Sequence, residues 1–299
     1  MKPQNVSTVS PPYCLPTLEY NGFPNKECEY WDEIMVQYPP SSESSLFVTT
    51  RVTSSEQATS NCSLKSPTCT WNTTAESSIY IGNLNNFTVL LDHTMSAPDF
   101  NVQFNAKQLP GMLLDSNGKE MRNLQPPNVI GQQDKDDILT IDTILQAAGI
   151  QTLDAPGESN SSRSLRDDGL LLFLFISYSN IYTYSTNKYR YTYEFALIPD
   201  SKYKVIEPIY TYDTSHRVIF NRHGIQIFIV QTGTLGRFDF QTMLITFVGG
   251  IGLVTVASVI VDIILLRILP KRQDYQKLKY QDSVDHDQNQ QELDYEPID

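Results

Sequence analysis

The sequence has no Gly-rich phosphate loop, no His-Glu-x-x-His and no Gly-x-Ser-x-Gly, so the common phosphate-cradling, zinc-hydrolytic and serine-nucleophile chemistries have no carrier. Its four histidines are scattered, and no enzyme, metal or cofactor is expected. Basic charge is short as well: 22 Lys and Arg against 34 Asp and Glu give a formal net charge of −12. Nucleic-acid binding needs a basic footprint, so it is excluded. Cysteine is scarce, and Cys14, Cys28, Cys62 and Cys69 all lie in the first quarter. In a lumenal chain an even number implies disulfides; Cys14–Cys28 with Cys62–Cys69 is the local choice among three connectivities. Zinc ligation is the lesser alternative, since no His lies nearby. The N-terminus, MKPQNVSTVSPP, lacks the basic-then-apolar pattern of a signal peptide.

What is present is one long apolar run near the C-terminus. Met243 to Val261 is an uncharged stretch of 19 residues, and Ile263 to Leu266 extend it past Asp262. At ~1.5 Å per helical residue it crosses the ~30 Å of bilayer hydrocarbon. Lys271, Arg272, Lys277 and Lys279 follow the run, whereas Arg237 alone lies close before it. The positive-inside tendency therefore puts the C-terminus in the cytosol and the large N-terminal part outside or in a lumen. Sequons at Asn5, Asn61, Asn72, Asn86 and Asn160 agree with that side. The last residues, Gln281 to Asp299, hold seven acidic residues and no Lys or Arg, a composition expected to be disordered.

The part before the span reads as mainly β. Asn187 to Ile198 alternates Tyr189, Tyr191, Tyr193 and Phe195 against polar residues, the pattern of a half-buried strand. Asp168 to Tyr178 reads as a strand buried on both faces, too short for a second span. Asn85 to Asp92 and Arg217 to Gln231 are further strands, the latter bent at His223-Gly224. Ile138 to Gly149 spaces Ile138, Ile141, Leu145 and Ala148 on one face of an expected helix.

From Asn85 onward the order of motifs resembles the P2X purinoceptors. NNFTVLLDHTMSAPDFN resembles the family's Asn-Phe-Thr strand, DDGLLLFLFISYSN its Gly-Gly-led core strand, and NKYRYTYEFALIPD its Arg-Tyr-Ser-Phe-Arg strand. RVIFNRHGIQIFIVQTGTLGRFDFQTM resembles the signature that enters the second membrane helix, and VIVDIILL the stretch carrying the membrane aspartate. Tyr275 and Lys279 repeat the family's Tyr-x-x-x-Lys trafficking motif.

The resemblance implies a β-rich ectodomain followed by one C-terminal membrane helix, in a homotrimer or a heterotrimer of like subunits. It implies a cation channel opened by extracellular or lumenal ATP, passing Na+, K+ and Ca2+. The membrane is the cell surface or, alternatively, an intracellular vacuole. The corresponding divisions are a divergent cysteine-containing head at 1–84, a ligand-binding ectodomain at 85–237, a pore helix at 238–269 and an acidic cytosolic tail at 270–299. The family's first membrane helix and first ATP-contacting lysines have no counterpart, so this chain is expected to be a truncated form. A single-pass adhesion or receptor-like protein without a pore is the alternative.

Thr88 matches the family threonine that contacts adenine. Most family charges are displaced: Asp92 stands for a lysine, Lys204-Val205-Ile206 for Asn-Phe-Arg, and Asn221 for the late lysine. Lys204, Arg222 and Arg217 are the candidate replacements. In the span, Ile245, Gly249, Gly252 and Val256 recur on one helical face as the candidate pore lining. A ring of Asp262 carboxylates would favour cations, but holding the bundle together is the role expected first.

Overall fold

The computed structural model describes residues 2–3, 10–16, 18–39, 44–60, 62–157, 162–182, 188–210 and 214–280. Asn5, Asn61, Asn160 and the acidic tail lie outside them. The chain divides into two compact units, 1–236 and 237–299.

In the first unit the strands in chain order are β1 (Lys2–Pro3), β2 (Glu19–Tyr20), β3 (Phe23–Pro24), β4 (Cys28–Glu29), β5 (Ser45–Thr59), β6 (Trp71–Ile81), β7 (Phe87–Leu91), β8 (Thr94–Ala97), β9 (Val102–Asn105), β10 (Gly111–Leu114), β11 (Asp137–Thr140), β12 (Leu170–Ser179), β13 (Arg190–Leu197), β14 (Lys204–Tyr210) and β15 (His216–Thr234). Short helices α1 (Glu33–Val36), α2 (Ile141–Ala147) and α3 (Leu165–Asp168) interrupt them. The main sheet runs β10-β13-β12-β15-β5-β6-β4, with β14 added along the far part of β15. A smaller sheet, β1-β7-β11, holds the strand with Thr88. Residues 45–81, within the expected head at 1–84, form β5 and β6 of the main sheet, where Phe47, Val48 and Val52 are buried.

Both predicted tyrosine and apolar strands form. On β13, Tyr191, Tyr193 and Phe195 are buried while Glu194 is exposed, as alternation requires. On β12 the expectation of two buried faces is corrected: Leu170, Leu172, Leu174, Ile176 and Tyr178 are buried, but the alternate residues are half-exposed. Their face carries a ring cluster, Phe173 against Phe175 at 5.9 Å and against Phe228 at 5.8 Å. The bend in β15 is a register shift at His223/Gly224. A Cβ on Gly224 would meet the Val48 carbonyl oxygen at 2.1 Å, so only glycine lets β5 pass this close.

The predicted helix at Ile138 to Gly149 is shorter than expected. Asp137–Thr140 pairs instead with β7, and the helix starts at Ile141. Thr140 is the reason: its Oγ1 accepts from the Thr143 N–H at 3.2 Å, an N-cap that fixes the start. Both local disulfides are present, Cys14–Cys28 and Cys62–Cys69. The first loop is anchored by charge. Arg166, 1% exposed, donates to both oxygens of Asp154 at 2.7 and 2.9 Å and lies 3.6 Å over the Tyr13 ring.

The second unit contains α4 (Phe240–Ile263), a π-helical turn at Ile264–Ile268 and α5 (Arg272–Lys279). The continuous stretch Phe240–Ile268 is long and apolar enough to cross a membrane.

Candidate functional site

Strand register sorts the candidate ligand residues by face. Lys204 pairs with His223, His223 with Arg51, and Arg51 with Tyr80, making one row across β14, β15, β5 and β6. Directly opposed residues share a face, and residues two apart along a strand share it too. Ile206, Asn221 and Arg217 therefore lie on the same face as Lys204. Arg222, in register with Val205 and Val52, lies on the other. There its Nε donates to Glu207 at 2.7 Å, its Nη1 donates to the Met35 carbonyl at 3.0 Å, and Trp31 and Tyr38 flank it. The expected set of three replacement cations is thus split by the sheet: Lys204 and Arg217 on one side, Arg222 on the other. Arg217 donates to Gln57 at 2.9 Å and lies 4.0 Å over the Trp71 ring.

The Lys204 row has neighbours that the sequence did not single out. Asp167, at the end of α3, pairs with Lys26 at 3.2 Å and Arg51 at 3.5 Å. Asp168 pairs with Arg163 at 3.3 Å and Lys202 at 3.4 Å. These ion pairs gather Lys26, Arg51, Arg163 and Lys202 around the two carboxylates. His223 feels that environment: burial first, then the Arg51 guanidinium, pushes its imidazole down to about 4.

Thr88 is buried, on β7 in the smaller sheet. The residue opposite it in register is Lys2 of β1. Asp92, where the family has a lysine, is exposed and accepts from the Asn105 amide at 3.2 Å.

At the start of the span, Asp239 caps α4. Its Oδ1 accepts from the Gln241 N–H at 2.9 Å and its Oδ2 from the Thr242 hydroxyl at 3.0 Å. Within the helix, Thr246, Thr255 and Ser258 donate back to carbonyls four residues earlier, so no hydroxyl is left unpaired towards lipid. Ile245 and Val256 are exposed, and nothing lies within 4 Å of a Cβ built on Gly249 or Gly252. The face they share is open. Asp262 has a partner in the same chain: Lys279, at the end of α5, forms an ion pair with it. Gln276 of α5 also reaches the Leu266 carbonyl at 3.5 Å, and Tyr275 of the trafficking motif is exposed. Of the described sequon asparagines, Asn72 is exposed on β6 and Asn86 is half-buried in the turn before β7.

A long sheet strand, β15, followed in the chain by one apolar helix long enough to cross a membrane, points to a membrane protein with a β-rich domain and a span on one chain. A sequence model of the family described as ATP P2X receptor matches residues 181–282. P2X receptor E of Dictyostelium discoideum is 52% identical over 299 residues, covering 98% of this chain and 77% of that protein. P2X receptor D of the same organism is 41% identical over 270 residues, covering 90% and 66%. Among solved structures, a P2X receptor from the Gulf Coast tick, determined with ATP and Zn2+, shares the fold at a TM-score of 0.52 and 16% identity, covering 79% of this chain and 81% of that one. The chain belongs to the P2X receptor family, and the reading as a poreless adhesion protein is set aside.

Proposed function

We propose that this chain is one of three like subunits, identical or mixed, of a cation channel opened by ATP outside the cell or in a vacuole lumen. The observation that carries the reading is the register of β14 on β15. It sets Lys204, Ile206 and Asn221, which stand at the positions of the family's phosphate-binding residues with other side chains, on one sheet face. That same strand β15 continues to Thr234, six residues before α4. Lys204, with Arg51 in the same row, supplies charge for the triphosphate. Thr88 takes the adenine. Arg217 bounds the face from above. Arg222 holds the opposite face to Glu207 and the α1 region and does not meet the nucleotide.

Assembly is supported by what one chain leaves uncovered. Phe173, Phe175 and Phe228 form a half-exposed aromatic strip on the main sheet, and α4 has no buried residue. Three copies would cover the strip and bring Ile245, Gly249, Gly252 and Val256 around a path for Na+, K+ and Ca2+. Asp262 and Lys279 act chiefly to fasten α5 to the cytosolic end of the span, with Tyr275 left free for trafficking contacts. Glycans are carried at Asn72 and the other sequons. The test is ATP-evoked cation flux from the chain reconstituted in liposomes. Lys204→Ala is expected to raise the ATP concentration for half response at least tenfold, whereas Arg222→Lys leaves it within threefold. Equal effects of the two would remove the sheet-face assignment.

A further inference from the structure

His93 lies in the two-residue link between β7 and β8 and is 5% exposed. Both of its ring nitrogens touch tyrosine hydroxyls of the main sheet. Nε2 is 2.6 Å from the Tyr193 oxygen and Nδ1 is 2.5 Å from that of Tyr178. Tyr191 and Tyr193 each place a hydroxyl on Asp137 Oδ2, whose other oxygen accepts from the Gly131 N–H at 2.9 Å. With Asp137 ionised, these contacts assign the protons. A carboxylate only accepts, so Tyr193 donates to Asp137 and its oxygen must accept from His93. Nε2 therefore carries the hydrogen, and Nδ1 accepts the Tyr178 O–H. Neutral His93 is fully satisfied, and Asp137 with His93 bridges the smaller sheet to β12 and β13.

We propose that His93 is a proton-operated joint: neutral, it fastens the sheet bearing Thr88 to the sheet that runs into α4; protonated in acid, it releases that contact. A proton on Nδ1 abolishes the acceptor for Tyr178, whose hydroxyl must turn away, and places a charge among the rings of Tyr178, Tyr191 and Tyr193, with centroids 4.7 to 5.5 Å from the imidazole. Burial holds His93 below the usual histidine range. The Asp137 and Asp92 carboxylates pull the other way and oppose that lowering. The cation in the adjoining turn, Lys107, is paired with Asp136 at 2.7 Å. Burial also pushes the Tyr178 hydroxyl up to about 12, so the tyrosines stay protonated throughout and the imidazole is the group that changes.

The proton itself stands on this geometry alone; only its consequence for the channel rests on the function proposed above. The experiment is histidine-labelled NMR of the detergent-solubilised chain, whose four imidazoles are assigned by single substitution. The His93 signal is expected in the Nε2–H tautomer at pH 7.5, titrating below an ordinary histidine. Tyr178→Phe, which removes the bond to the neutral form, is expected to raise that titration point. In parallel, amide-exchange protection of residues 94–105, corrected for intrinsic rates, is expected to fall at least tenfold from pH 7 to pH 4.5 in the native chain and to stay level in His93→Gln. An Nδ1–H tautomer, an ordinary titration, or the same loss of protection in His93→Gln would overturn the joint. If those arms succeed and ATP evokes no flux at any pH, the joint stands and the channel reading fails.

Discussion

The two units of the chain satisfy their chemistry in opposite ways. In the first, groups that are costly to bury find partners within the chain: Arg166 with Asp154, Arg51 with Asp167, His93 with two tyrosines. In the second, the backbone and hydroxyls are paired internally but every large apolar side chain of α4 faces outward. A soluble domain spends its hydrophobic surface on its own core, whereas a span leaves it for lipid and for like helices. Damage to the first unit should therefore show as lost folding, and damage to the second as lost assembly with folding intact.

The largest separation should come from the buried ion pair. Asp154→Asn leaves Arg166 uncompensated at 1% exposure, which costs about 3–5 kcal/mol. Ectodomain denaturant midpoints are expected to collapse, whereas Val256→Ala in α4 leaves them unmoved and changes only the trimer fraction in crosslinking. A smaller loss is expected for Cys14→Ser with Cys28→Ser. Opening a loop with a sequence separation of 14 removes about 3 kcal/mol through the unfolded chain. Equal losses for Cys62→Ser with Cys69→Ser, separated by 7, would contradict the loop-length argument.

Acid should act on the first unit alone. His223 and His93 both have imidazoles lowered in the folded state, so the unfolded chain takes the proton first as pH falls. Their contribution is intact above about 6.5, the ordinary histidine value. It is lost progressively below that, until His223 itself protonates at about 4. Each group costs roughly tenfold in the folding constant per pH unit inside that window. Thermal midpoints across pH 7.5 to 4 check this, and His223→Gln should flatten part of the fall. The smallest folding effect belongs to Asp262→Asn and Lys279→Ala, since the pair is about 40% exposed on each side. Neither should move the ectodomain midpoint, but both should lower trimer recovery. A defect in Asp262→Asn alone would place the aspartate's working partner elsewhere.

Legibility followed the same division. The alternation on β13 and the His223-Gly224 bend were readable because one face is buried and one glycine is forced by a close approach. The second face of β12 was not, because Leu171, Phe173 and Phe175 read as core while one chain leaves them half-exposed. The start of α2 was misplaced because Ile138 fits both periods, and only pairing with β7 decides between them. In the candidate site, resemblance suggests Thr88 and the position of Lys204, and adjacency in sequence suggests Arg222 as a stand-in for Asn221. Strand parity, available in principle from the sequence, puts neighbours on opposite faces. Arg51 and the Lys279 partner of Asp262 depend on contacts between distant residues and leave no local pattern.

The central claim is that the face bearing Lys204 receives the nucleotide and that β15 carries the consequence to α4. Asn180 offers the most direct check, because its side chain donates to the Gly236 carbonyl at 2.9 Å and accepts from the Gly236 N–H at 2.7 Å, holding the chain just before the span. ATP affinity and ATP-evoked cation flux should be measured side by side on Asn180→Ala and Lys204→Ala trimers in liposomes. The account predicts weakened binding in Lys204→Ala, and near-native binding with flux reduced at least tenfold in Asn180→Ala. Native binding in Lys204→Ala, or native flux in Asn180→Ala, would contradict it.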